Sequence, residues 1–110
     1  MNYFINKKNA TEIKGTEVSS FPLLTAANGC VAGCCTGISI YTATEYTTPG
    51  VHQDQEGFVV MAGTGWAKIG DQEFPLEPET SFIAPAGQPH VIKRDPASEP
   101  VKVFWFHAAV

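Results

Sequence analysis

Apolar residues along this chain recur with a period of two in short runs, and turn-forming residues interrupt the runs every few positions. In GISIYTATEY (37–46), Ile38, Ile40, Thr42 and Thr44 alternate with Ser39, Tyr41, Ala43 and Glu45. Successive side chains leave a pleated strand on opposite sides, so this alternation suits a strand with one face on a core. FVVM (58–61) is a short apolar run, and GWAKIGDQEFPL (65–76) reads as two strands about a turn at Gly70-Asp71. SFIAP (81–85), HVIKR (90–94) and VKVFWFHAAV (101–110) complete the series. Near the start, ATEIKG and EVSSFPLL read as edge strands or a short helical turn. After position 15 glycine and proline recur too often for long helices. The pattern predicts an all-β sandwich or barrel.

Composition narrows the setting. With 110 residues, 44% of them hydrophobic and 16% charged, the chain is expected to fold as a single domain over 1–110 with a packed core. Eleven acids against seven bases give a net charge of −4, which argues against a nucleic-acid partner, since phosphate binding needs a basic face. The N-terminus has no apolar core of signal-peptide length, and no run approaches the ~20 apolar residues of a membrane span, so a cytoplasmic location is expected. Cys30, Cys34 and Cys35 are odd in number and lack zinc-pair spacing. They are read as small buried hydrophobes rather than as a disulfide framework or metal site. The large side chains on both faces of VFWF (103–106) predict a strand covered on both sides, which points to a homodimer.

The chemistry gathers around PGVHQDQEGF (49–58). His52 is expected to end one strand and Glu56 to open the next, with QDQ as the turn. A tight antiparallel connection would bring imidazole and carboxylate to one point. Asp54 is read as the turn cap, bonding its own backbone. PAGQPH (85–90) is a rigid turn that delivers His90 at the start of a strand, because its prolines fix φ and Gly87 admits a left-handed conformation. Two imidazoles and one carboxylate suit a transition ion with open positions. The alternative for His52 and Glu56 is a hydrogen-bonded polar pair in a metal-free pocket.

These residues resemble the cupin family. Its first motif runs G-x5-H-x-H-x3-4-E-x6-G and its second G-x5-P-x-G-x2-H-x3-N. HQDQEGFVVMAG supplies His52, Glu56 and Gly63, and PAGQPH supplies Pro85, Gly87 and His90, at matching spacings and with the short spacer (64–78) of small microbial cupins. The likeness spans about residues 37–107 and leaves 1–36 as N-terminal edge strands. It departs from the family at Thr44, Gly50, Glu79 and Arg94. Gly50 stands where the first histidine of H-x-H would be, which removes one metal ligand; Glu79 and Arg94 concern turns and are expected to cost little.

The resemblance implies a double-stranded β-helix, or jelly-roll barrel, holding a divalent metal (Fe, Mn, Ni or Zn) through His52, Glu56 and His90. It implies a small-molecule ligand or substrate and chemistry of the oxygenase, isomerase or lyase type. The alternative function is a non-catalytic module that binds a ligand or metal, or no metal at all. Phe58, Val60, Trp66, Ile83, Ile92 and Trp105 are candidate lining residues. Tyr41 and Glu45 precede the site and no general base is assigned. His107 alternates with Trp105 and reaches the metal or ligand if that face lines the barrel; otherwise it is a packed or surface residue.

Overall fold

A computed structural model describes residues 1–109; Val110, the last residue of the run read as the final strand, lies outside the described residues. The chain forms β1 (Ile13–Gly15), β2 (Val18–Pro22), β3 (Cys35–Tyr41), β4 (Gln55–Ala62), β5 (Gly65–Ile69), β6 (Gln72–Leu76), β7 (Ser81–Ala84), β8 (His90–Arg94) and β9 (Val101–Ala108). Two 3₁₀ turns, Lys7–Asn9 and Ala26–Asn28, precede β1 and β3. No helix among the described residues is long and apolar enough to cross a membrane.

The strands build two antiparallel sheets, of order β1-β2-β3-β9-β4-β7 and β6-β5-β8. This is the jelly-roll architecture, in which two sheets bury their inner faces against each other. Alternation decides which side chains enter the interior. On β4, Glu56, Phe58 and Val60 are buried while Val59 and Met61 are exposed. Facing them in register on β9 are His107, Trp105 and Val103. Phe58, Val60, Val101 and Val103 are almost fully buried, and Ala67, Leu76, Ala84 and Ile92 complete the core. Full burial of each large member stabilises the fold by about 1.5–3 kcal/mol. Phe82 stacks on Phe58, with ring centroids 4.5 Å apart.

The paired strands 65–69 and 72–76 enclose Gly70-Asp71 as expected, with Gly70 at a φ of 57°. The early segments also form strands, with β1 at an edge. Other expectations need correction. β3 stops at Tyr41, the partner of Val101 where β9 begins after Pro100; the chain then leaves the sheet, and Arg94 Nε donates to the Thr42 carbonyl. The stretch from Thr42 to Asp54 is therefore mostly loop, and His52 does not end a strand. Nor do β3 and β4 form a hairpin, because β9 lies between them. Trp66 and Ile83 are 42% and 46% exposed and point outward, so neither lines the interior. The cysteines are free rather than fully buried: Cys34 is exposed, Cys30 and Cys35 are half-buried, and only Cys35 lies in a strand.

Candidate metal centre

Three segments meet at one end of the interior. Glu56 is the second residue of β4 and its register places it directly between His107 of β9 and Ala84 of β7. His90 opens β8 and forms an antiparallel bridge with Gly50, each backbone nitrogen donating to the other residue's carbonyl at 2.9 Å. His52 stands on the loop between them. Its carbonyl accepts a 2.8 Å bond from the Gly87 amide, which ties it to the PAGQ turn. That turn closes from the Gln88 amide to the Pro85 carbonyl, with Gly87 at a φ of 78°. A side chain at Gly87 would be strained there, which is why this turn carries glycine.

The donors converge on one atom. Glu56 Oε1 lies 3.0 Å from His52 Nε2, 3.4 Å from His90 Nε2 and 3.5 Å from His107 Nε2. The opposite nitrogen of each ring faces an acceptor. His90 Nδ1 lies 3.3 Å from the Gln88 carbonyl oxygen. His52 Nδ1 lies 2.7 Å from Asp54 Oδ1 and 3.1 Å from the Asp54 carbonyl oxygen. His107 Nδ1 lies 2.8 Å from Asp54 Oδ2. An acceptor at Nδ1 holds the ring proton there, so a neutral imidazole presents a bare lone pair at Nε2. Three such lone pairs would then face a carboxylate oxygen, an arrangement that calls for positive charge in the gap.

A transition ion meets that need. Donors about 2.1 Å from one ion stand about 3.0 Å apart at right angles and about 3.4 Å apart at the tetrahedral angle. The separations of Glu56 Oε1 from His52 and His90 fit this spacing, and the donors of all three candidate ligands expected from the sequence lie within 4.8 Å of one another. A second cluster, His52, Asp54 and His107, lies on the Nδ1 side of the rings.

Protonation follows the same contacts. Burial disfavours a charged His52, but its hydrogen bond to Glu56 and its contacts with Asp54 outweigh this and raise its pKa. Asp54 is held below the usual carboxylate range, chiefly by the hydrogen bond from His107. Burial, and then the nearby charge of Glu56, push the Tyr41 hydroxyl well above its ordinary value. Burial also raises the thiol of Cys35, the residue that stands opposite His107 in the backbone register of β3 and β9.

Two residues do more than sequence reasoning assigned them. His107 faces inward beside Glu56, and Asp54 directs its carboxylate to two imidazoles instead of capping its turn. The inward row Val101, Val103, Trp105, His107 carried the signal for the first; nothing local carried it for the second. Beside the centre is a cavity of about 220 Å³, lined in part by Gly50, His90, Tyr41, Phe58, Phe82 and Ile92. Glu45 is exposed and takes no part.

The model of the cupin domain matches residues 38–107. The chain belongs to the cupin family. No curated protein matches it. Among solved structures, a predicted oxalate decarboxylase from Thermotoga maritima superposes with a TM-score of 0.82 at 10% identity, covering 96% of this chain and 98% of that one. An RmlC-like cupin from Shewanella frigidimarina gives a TM-score of 0.79 at 9% identity, covering 100% and 93%. Fe(II)-HppE with an alternative substrate gives 0.80 at 14% identity, covering 94% of this chain but 58% of that one. At these identities the likeness is one of fold.

Proposed function

We propose that this cupin binds one divalent transition metal through His52, Glu56 and His90 and acts on a small organic molecule held in the adjoining cavity. The observation that carries the reading is the convergence of imidazole Nε2 atoms on Glu56 Oε1, with every Nδ1 already facing an acceptor. A metal there would supply Lewis-acid polarisation of a substrate oxygen or bind O₂. The chain's own part is to hold the donors and exclude water. Phe58, Phe82 and Ile92 give the cavity apolar walls, and the hydroxyl of Tyr41, which also lines it, is a neutral donor available to a bound oxygen. The Fe(II) of HppE supports metal binding on this fold, and the Thermotoga protein, a predicted oxalate decarboxylase, supports the lyase class among the oxygenase, isomerase and lyase types proposed for this chain.

The second reading is a metal- or ligand-binding module without turnover. Gly50 favours it, since one ligand of the family pattern is absent there. Protein purified without added metal is expected to carry one equivalent of Fe, Mn, Ni or Zn, and His52→Ala and His90→Ala are expected to lose it. Metal at 100 times its Kd should stabilise the wild type by about 2.7 kcal/mol and the variants by far less. A full complement in both variants refutes the assignment. Turnover or O₂ uptake across a substrate panel separates enzyme from binder.

A further inference from the structure

We propose that His107 is the fourth protein ligand of this centre, positioned by Asp54, and that the side left open by Gly50 is where a small ligand reaches the metal. The inference rests on the metal reading above. His107 enters from β9, outside both sequence motifs, yet its Nε2 is 3.5 Å from Glu56 Oε1, nearly the separation that His90 Nε2 shows; its donors group with His52 and Asp54 rather than with His90, so ligation requires the ring to move toward the ion. Strand register fixes this approach, because Glu56 and His107 are direct cross-strand partners on the inner face.

Asp54 completes the geometry. Its Oδ2 accepts from His107 Nδ1 at 2.8 Å while Oδ1 stands 2.7 Å from His52 Nδ1, so one carboxylate orients two rings. Such a partner fixes the tautomer and makes the ligating nitrogen more basic. The rings of His52 and His107 lie side by side, with centroids 4.9 Å apart, and Trp105 meets His107 edge-on at 5.3 Å. His107 therefore has little freedom to turn away.

Gly50 lies on the other side. A Cβ built there would stand 3.3 Å from His90 Nε2, so a side chain at this position would point at the ligand nitrogen. The glycine leaves that approach open, and both Gly50 and His90 border the cavity whereas His107 does not. The donor set of three imidazoles and one carboxylate is thus kept, with one imidazole moved from the cavity side to the β9 side. The exchangeable position then faces the cavity.

Co(II) alone serves as the probe. X-ray absorption on the Co(II) protein should count three imidazoles in the wild type and two in His107→Ala. Chelator competition should show His107→Ala binding at least about 100-fold more weakly, at or beyond the upper end of the 10–100-fold that losing an outer partner costs. Asp54→Asn keeps an acceptor for His107 and should lose less affinity than Asp54→Ala. Azide should shift the Co(II) absorption of the wild type but not of Gly50→His, which should show four imidazoles. Two imidazoles in the wild type, a measurement that needs no variant to fold, overturns the role of His107. Equal losses in Asp54→Asn and Asp54→Ala overturn the positioning role of Asp54, and an azide shift retained in Gly50→His overturns the open side. If His52→Ala and His90→Ala keep Co(II), the metal reading itself fails. If they lose it while His107→Ala binds as the wild type does, only the present inference fails.

Discussion

Each of the three imidazoles has two jobs divided between its nitrogens: Nδ1 faces an oxygen of Asp54 or Gln88, and Nε2 faces Glu56. Which nitrogen faces inward is set by these neighbours and not by the presence of a histidine at a given position. The same holds for residues that depart from the family pattern. Glu79 replaces a glycine and occupies a φ of 75°, following Pro78 in a turn closed from the Thr80 amide to the Glu77 carbonyl at 3.0 Å. The third residue of such a turn favours glycine, because a Cβ crowds the backbone in the left-handed region. Glu79→Gly is expected to stabilise the protein by about 0.5 kcal/mol, the relief of strain exceeding the added freedom of the unfolded chain. Equilibrium urea unfolding measures it, and a loss of stability would show that the Glu79 side chain contributes more than its conformation costs. Arg94, in place of asparagine, donates from Nε to the Thr42 carbonyl and from Nη1 to that of Ser98, so it fastens the loop that carries Gly50 and His52.

At the scale of strands, β9 organises the site. It pairs with β3 on one side and β4 on the other, and its inner row carries Val101, Val103, Trp105 and His107. Trp105 is held by a 2.8 Å hydrogen bond from its Nε1 to Ser39 Oγ, which also contacts Ser20 Oγ at 2.9 Å. Its indole lies across Gly37, the cross-strand partner of Trp105 on β3, where a Cβ would overlap the ring. Gly37→Ala is therefore expected to cost about 1–3 kcal/mol by overpacking. Denaturant unfolding gives that figure, and a red-shifted tryptophan emission should accompany it as the indole moves. Unchanged stability would mean that Trp105 yields freely, and with it the wall beside His107. The strands 65–69, 72–76 and 90–94 were legible from alternation and turn residues alone. The loop from Thr42 to Asp54 was not, because its Thr42, Ala43 and Thr44 continue the strand pattern while backbone pairing with β9 ends at Tyr41.

At the scale of the whole molecule, the two sheets leave one outer face bare. Val59, Met61, Ile83 and Phe106 are 37%, 47%, 46% and 40% exposed, and register places Ile83, Gly57 and Phe106 side by side across β7, β4 and β9. An apolar sheet face of this kind is one that a second copy could cover, so the homodimer expected from the VFWF run can be tested here. Sedimentation of the wild type at about twice the chain mass, and of Phe106→Lys as a monomer, is the expected outcome; a monomeric wild type rejects it. Read along the chain alone, the residues were enough for the class of fold, for most of the strands, and for naming His52, Glu56 and His90 as candidates, which the fold then brings together. These follow from period-two alternation, turn chemistry and fixed motif spacing, all local properties of the chain. That β9 lies between β3 and β4, and so brings His107 beside Glu56 and within reach of Asp54, emerges from the folded chain alone. Those residues are far apart along the chain, and strand pairing between distant segments depends on how whole faces are buried together.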